Sequence, residues 1–366
     1  MNSVAMILFS NDIAGTELQV YSLLKGLKAN NRYKLYVICS NESYMKMCNQ
    51  IGVESYFIRV TNNHDVLAAL YLYMLLRRLR PDIIHTHLGW ANIIGKLVGK
   101  LLGIKIIIST EHVWCANNES FSYWRNKFHL YVYRCLSLIT NKIIVVSKSV
   151  FNFLACNVGI SEDKLIVISN TIIPKNYIER RKSNDIVAFG AIGRLEYEKG
   201  LDVLLNAIPI LKGYDFKLYI VGDGSQKNKY IQMCKELNIS DKVFFTGYVD
   251  NSEIEKIYEI IDVLVLPSRR ETFGLVLLEA MQFGIPCIGS DVGGIPEIIT
   301  DGKDGYLFTS GDYVDLANKM KSFISNKKLC SVMGKAARKK VVAKFDYEKM
   351  VRKTENVYKN ELFNLN

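Results

Sequence analysis

Twice along this chain, short Val- and Ile-rich runs alternate with stretches of helical period, and one polar interval separates the two series. In the first series the apolar runs fall at 4–10, 34–39, 55–58, 82–85, 105–109, 142–146 and 164–168. In the second they fall at 186–192, 217–221, 242–246, 263–266 and 287–289. Runs this short and this apolar predict strands buried on both faces, and strand–helix alternation predicts a parallel sheet with helices on either side. The interval PKNYIERRKSND at 174–185 is polar and charged, as expected of a linker. With 366 residues there is enough chain for two domains, each burying its own core. The pattern therefore predicts an α/β chain with an N-terminal domain at 1–174, a linker at 175–185 and a second domain at 186–345. A C-terminal helix at 346–366 is expected to pack back toward the first domain. Two such halves are expected to face each other across a deep cleft, with ligand held at strand C-termini.

Charge narrows the partners. Residues 1–180 carry 20 Lys+Arg against 11 Asp+Glu, and the remainder carries 27 against 25. A basic first half suggests an anionic partner. No DNA- or RNA-binding motif appears, so nucleic acid is set aside in favour of a membrane surface or a phosphorylated lipid. No apolar run is long enough to span a bilayer, and the N-terminus lacks a secretory pattern, so a cytoplasmic chain is expected. Eight cysteines without CxxC or paired spacing read as isolated thiols, not as a disulfide frame or a zinc site. The segment 121–142 interleaves Phe121, Tyr123, Trp124, Phe128, Tyr131 and Tyr133 with Arg125, Lys127 and Arg134. Such a stretch suits a helix lying on the inner face of a membrane, and equally an aromatic core helix with one cationic face.

Residues 268–299, SRRETFGLVLLEAMQFGIPCIGSDVGGIPEII, concentrate the chemistry. Thr272 is the expected N-cap of a buried helix over 273–283, Gly284 its C′ residue and Pro286 its stop. Glu271 and Glu279 lie eight residues apart, or about 12 Å along a helix, beyond the roughly 5–9.5 Å that separates glycosidase carboxyl pairs. They therefore suit two grips on one extended ligand, with the helix N-terminus offering amides to an anion between them. On spacing alone, a half-buried acid and a solvated loop acid would fit as well.

Earlier in the second series, Gly193-Arg194-Leu195 and Lys199-Gly200 follow the first strand. An Arg and a Lys in a strand-to-helix loop can neutralise a diphosphate without a metal, though two solvated loop cations have the same spacing. Gly15 lies in the first strand-to-helix turn, and Tyr248-Val249 follow a later strand. His85 and His87 could point the same way; a zinc site would need His112 as third ligand, and structural roles fit His85 and His87 better.

Several of these elements stand in one register over about thirty residues: Glu271-Thr-Phe-Gly-Leu, Glu279-Ala-Met, Gly284-Ile-Pro and Gly293-Gly294-Ile-Pro-Glu297. Together they resemble the donor-site signature of family 4 of the retaining nucleotide-sugar glycosyltransferases. The resemblance implies the GT-B fold, two Rossmann-like domains with parallel sheets. It implies that Arg194 and Lys199 hold the pyrophosphate, and that Glu271 with the backbone of Phe273, Gly274 and Leu275 holds the sugar. It places Glu279 on the ribose and Tyr248 and Val249 beside the base. His112 corresponds to a residue facing the hexose and acceptor. Gly15 corresponds to a phosphate-contacting turn, where Ala14 departs from the family's paired glycines. Catalytic roles are expected of Glu271, His112, Arg194 and Lys199. The implied substrate is a UDP- or GDP-type sugar, with no cofactor and no metal. The implied acceptor is a lipid-linked saccharide of bacterial capsule, O-antigen or exopolysaccharide. A nucleotide-sugar epimerase or hydrolase of the same fold, and a non-catalytic nucleotide-sugar-binding module, are the alternatives.

Overall fold

The computed structural model describes residues 1–10, 12–61, 65–112, 123–173, 175, 186–250 and 253–364; the side chains of 123–127 and 129 lie outside that description. The chain divides into two compact units: Met1–Thr171 together with Tyr347–Asn366, and Ile172–Asp346.

The first unit opens with β1 (Ser3–Leu8), α1 (Gly15–Asn30), β2 (Lys34–Cys39), α2 (Glu42–Gln50), β3 (Glu54–Phe57) and α3 (Val66–Leu79). It continues through β4 (Ile83–His87), α4 (Gly89–Leu101), β5 (Ile106–Glu111), α5 (Tyr123–Leu138), β6 (Lys142–Val145), α6 (Lys148–Phe153) and β7 (Leu165–Val167). The second unit contains β8 (Val187–Ile192), α7 (Leu201–Ala207), β9 (Phe216–Val221), α8 (Lys227–Glu236), β10 (Val243–Gly247), α9 (Ile254–Ile260) and β11 (Val263–Leu266). Then come α10 (Leu275–Gln282), β12 (Cys287–Ser290), α11 (Ile295–Ile298), β13 (Gly305–Phe308), α12 (Tyr313–Ser325) and α13 (Lys328–Lys344), and α14 (Tyr347–Phe363) returns to the first unit.

Each unit is built on one parallel sheet. The orders are β3-β2-β1-β4-β5-β6-β7 and β10-β9-β8-β11-β12-β13, so both sheets grow outward in two directions from their first strand. That is the doubly wound arrangement, in which the turns at the strand C-termini form the ligand-binding edge. Burial explains the composition of the strands. Every residue of β4, β5 and β11 is buried, because helices cover both faces. In the first unit α3 and α4 cover one face through Ala68, Leu72, Leu76, Ala91, Ile94 and Val98. The opposite face packs α1, α2 and α14. Full burial of each leucine, isoleucine or valine side chain among them contributes about 1.5–3 kcal/mol.

Local chemistry sets the element ends. Asn41 accepts from the Tyr44 N–H to cap α2, and Asp65 accepts from the Ala68 N–H to cap α3. After α7 the chain tightens into a 3-10 turn at Ile208–Leu211, where Pro209 has no N–H to donate. α6 runs on into a π-helical turn, Leu154–Val158, that Gly159 ends in the left-handed region. The sequence patterning does not bring out α11 and β13, each four residues long. The chain crosses between units at 171–172 and 346–347, and Ile172 and Asp346 form an isolated parallel bridge. Of the expected linker at 175–185 only Lys175 is described, and the side chains of 113–127 lie outside the described residues. Of the aromatic-basic segment, Phe128, Tyr131 and Arg134 are exposed. Among the described residues, no helix is long and apolar enough to cross a membrane.

Candidate active site

In the second unit, neighbouring strands β8 and β11 are parallel, so the loops that leave their C-termini emerge at one edge. The first loop, 193–200, contains a 3-10 turn at Tyr197–Lys199, and the second, 267–274, leads into α10. Arg269 stitches them together. Its backbone N–H donates to Glu198 O at 2.8 Å. Its guanidinium forks onto the Asp202 carboxylate with two bonds of 2.6 Å. The same group lies 4.4 Å from the centre of the Tyr197 ring. Burial pushes the Asp202 carboxyl up, but the Arg269 hydrogen bonds and charge hold it below the usual range. Gly200 completes the close approach: its φ is +63°, and a Cβ there would meet Pro267 O at 2.1 Å.

Within this frame Lys199 Nζ donates to Glu271 Oε2 at 2.8 Å. Their side chains are 26% and 12% exposed, so the pair sits in a half-buried setting where water screens it incompletely. Ser268 Oγ lies 3.5 Å from the same carboxylate oxygen. Arg194 points outward and pairs with Glu198 at 3.2 Å. Both cations nevertheless line one small depression of about 20 Å³, with Gly193 and Pro267 also in its wall.

The structure corrects the start of the following helix. α10 begins at Leu275, with Gly274 in the N-cap place at φ +99° and no side-chain cap, so Thr272 does not cap it. Gly274 occupies a conformation that threonine avoids, and the turn places Thr272 two residues outside the helix. Phe273 is buried and meets Phe345 edge-on at 6.0 Å, which leaves its backbone as the part able to contact ligand. Gly284 follows the helix at φ +69°, and Ile285 N–H returns to Ala280 O at 3.2 Å, as a C′ glycine permits. Glu279 lies within α10, half-buried, and accepts from Tyr258 Oη of α9 at 2.9 Å. Burial raises its carboxyl above the ordinary value, against the opposing effect of Tyr258. Tyr248 and Val249 follow β10 at the sheet's edge; Tyr248 is exposed and Val249 half-buried.

In the first unit the polar residues gather at the C-terminal ends of β4 and β5. His85 and His87 project from one face of β4 with ring centres 4.2 Å apart. His87 Nδ1 lies 3.1 Å from His112 Nε2. His85 is held between Thr110 Oγ1 at 2.7 Å and Tyr358 Oη of α14 at 2.6 Å. Burial lowers all three imidazoles, His112 to about 4 and His85 to about 3, so each is neutral near pH 7. A neutral His112 can donate or accept a hydrogen bond but brings no charge. Beside it, Glu111 is buried and accepts from Asn92 Nδ2 at 3.0 Å and Tyr133 Oη at 3.2 Å. Its other oxygen lies 3.6 Å from Nζ of the equally buried Lys96. Burial depresses the Lys96 ammonium and Glu111 counteracts this. Gly15 opens α1 after Ala14, whose N–H donates to Glu17 Oε2 at 2.9 Å.

Sequence reasoning passed over Arg269, Asp202, Tyr258, Lys96 and Glu111. For the last two a signal existed: Lys96 is the one charge in the apolar stretch 91–99, and Glu111 the one charge in 106–111.

Two doubly wound parallel-sheet units, the second with a Lys–Glu pair and a glycine-bearing loop at its strand C-termini, have the architecture of GT-B glycosyltransferases. Residues 175–340 match the family described as Glycosyl transferases group 1, and residues 13–175 match Glycosyltransferase Family 4. The chain belongs to this glycosyltransferase family. It is 30% identical over 360 residues to an uncharacterized glycosyltransferase of Methanocaldococcus jannaschii, covering 94% of each chain. It is 29% identical over 367 residues to an uncharacterized 41.2 kDa protein in the cps region of Klebsiella pneumoniae, covering 93% of this chain and 96% of that one. It is 26% identical over 373 residues to the Escherichia coli UDP-Gal:alpha-D-GlcNAc-diphosphoundecaprenol alpha-1,3-galactosyltransferase, covering 93% and 92%. Among solved structures, Anabaena HepE in complex with UDP and glucose superimposes with a TM-score of 0.85 at 18% identity, covering 98% of this chain and all of that one.

Proposed function

We propose that this chain transfers a hexose from a UDP-hexose to a hydroxyl of a lipid-linked saccharide in bacterial surface-polysaccharide assembly, with retention at the anomeric carbon and without a metal. The observation that carries the reading is the Lys199–Glu271 pair, a cation and an acid held side by side at the entry to α10. In this reading Lys199 and Arg194 hold the diphosphate with the first amides of α10, where the helix dipole adds to the attraction. Glu271 and the backbone of Phe273, Gly274 and Leu275 hold sugar hydroxyls, Glu279 the ribose, and Tyr248 and Val249 the base. On the first unit, Gly15 is assigned to phosphate and His112, as a neutral imidazole, to a hydroxyl of hexose or acceptor.

The bond from the anomeric carbon to the β-phosphate oxygen breaks as the acceptor oxygen bonds the same carbon from the same face. The acceptor's proton passes to the departing diphosphate. Rate enhancement then comes from positioning and from cations placed where the leaving group's charge develops. The E. coli relative's UDP-Gal donor and diphosphoundecaprenol acceptor, the Klebsiella relative's cps region and HepE's UDP support the choice of donor, acceptor and pathway.

A thermal-shift series with UDP, GDP, ADP and their sugar conjugates tests the donor. The UDP series should raise the transition, by about 2.7 kcal/mol of apparent stability at a hundredfold excess over the dissociation constant. No shift from any nucleotide in folded protein would end the reading. Product anomeric configuration, read by NMR from an α-linked donor, should be α; a β product would overturn retention.

A further inference from the structure

The sequence leaves the segment 121–142 open between a membrane-facing helix and a core helix; α3 of the first unit presents a second surface of that character. We infer that α3 lies in the plane of an anionic lipid surface, with its outward apolar stripe among the acyl chains and its terminal arginines on the lipid phosphates. The inference goes beyond the transfer reaction and holds whichever sugar is moved.

A helix that covers a sheet buries one face and normally turns polar residues outward. α3 buries Ala68, Leu72 and Leu76, yet its outward side carries Val66, Leu67, Leu70, Tyr71 and Met74, which are 49–77% exposed. Exposed apolar side chains are ordinary when scattered, but a contiguous stripe marks a contact surface. Arg77 and Arg78 continue the stripe three and four residues beyond Met74, and exposed Arg80 follows. No acidic residue interrupts Val66–Leu79.

The flanks agree in character. Beside α3, the edge strand β3 ends at exposed Phe57, and a groove of about 550 Å³ between them is lined by Phe57, Arg59, Leu67, Tyr71 and Leu75. Asp65 also lines it, with its carboxylate engaged by Thr61 and by the Ala68 N–H. α4 packs on the same face of the sheet as α3 and adds exposed Leu97 and Leu101, with exposed Lys100 between them.

Length decides how such a helix meets a bilayer. The 14 residues of α3 rise about 21 Å, short of the roughly 30 Å hydrocarbon core, and three arginines close the stripe. An apolar face ending in cations suits the interface between acyl chains and phosphates, where both halves of the stripe are satisfied together.

The test uses the full chain in co-sedimentation with vesicles of phosphatidylcholine alone and of phosphatidylcholine mixed with phosphatidylglycerol. The wild type should sediment with the anionic vesicles. Leu70→Glu/Met74→Glu and Arg77→Glu/Arg78→Glu should each cut bound protein about tenfold. Circular dichroism and the melting transition of these variants should match the wild type, which excludes misfolding as the cause. Phe128→Glu/Tyr131→Glu on α5 should leave binding intact. Undiminished binding by the α3 variants would overturn the inference, as would loss confined to the α5 variant. Self-association of the wild type that the α3 variants abolish, without vesicle binding, would equally overturn it and make the stripe an interface between copies.

Discussion

Lys199 Nζ and Glu271 Oε2 are 2.8 Å apart, so side chains assigned to the phosphate and sugar ends of the donor form one hydrogen-bonded unit. Removing one member leaves the other half-buried without its partner, and the two substitutions should therefore not add. Lys199→Ala should lower kcat/KM about a hundredfold and weaken UDP binding, since the stranded carboxylate then faces the phosphates. Glu271→Gln should reduce turnover while leaving UDP affinity near wild type. The double variant Lys199→Ala/Glu271→Gln should bind UDP more tightly than the summed single effects predict, with a coupling of about 1–3 kcal/mol by calorimetry. Strict additivity would mean that the pair does not act as a unit.

Gly293 fixes where Glu271 stands. Its φ is +56°, and a Cβ there would lie 1.5 Å from the Glu271 carbonyl oxygen, which also accepts from the Gly294 N–H at 3.2 Å. Gly293→Ala must therefore push the 271–273 backbone away. Turnover should fall at least about a hundredfold, as expected for a misplaced polar contact, with a stability loss of about 2 kcal/mol or more. Steady-state kinetics beside urea denaturation would show it, and an alanine variant of normal activity would refute the link.

Much of this was legible before the structure. The Val/Ile runs give the strands because burial on both faces leaves room for little else, and the motif over 268–299 falls where it should, at the edge of the second sheet. Helix starts were less legible. Thr272 has the chemistry of a cap, but backbone conformation decides the position, and Gly274 takes it. Partners were least legible. Arg269 finds Asp202 across 67 residues and His85 finds Tyr358 across 273, separations that no local pattern encodes. The grouping of Arg194 with Lys199 came from the family resemblance; in the structure each pairs with a different glutamate while both line one depression.

The histidine cluster predicts an acid-sensitive fold. Burial lowers His85, His87 and His112 below their ordinary value of 6.5, so the neutral forms belong to the folded state. Their contribution is fully present above about pH 6.5. It is lost as pH falls toward about 4 for His112 and about 3 for His85, because the unfolded chain takes up protons that the folded one refuses. Each histidine should add a slope of about 1.4 kcal/mol per pH unit well below 6.5. Urea denaturation between pH 6.5 and 5 should show the decline, and His87→Gln should flatten it by about one third. An unchanged slope in that variant would mean that His87 titrates normally in the folded chain.

Lys96 and Glu111 pose the sharpest energetic question, because both are buried and only 3.6 Å separates their charges. Desolvating two ions costs several kcal/mol each, and their attraction repays this only with further hydrogen bonds. Glu111 has these from Asn92 and Tyr133, one on α4 and one on α5, so its carboxylate ties two helices to the end of β5 beside His112. Lys96→Met should then cost about 3–5 kcal/mol, since it strands a buried carboxylate. Lys96→Met/Glu111→Gln keeps an amide oxygen for Asn92 and Tyr133 and leaves no net charge behind, so it should lie within about 1 kcal/mol of wild type. Equilibrium denaturation of the three proteins decides between two origins of stability. If the double variant is as unstable as Lys96→Met, the ionic attraction itself holds this corner. If it recovers, the hydrogen bonds from Asn92 and Tyr133 hold it.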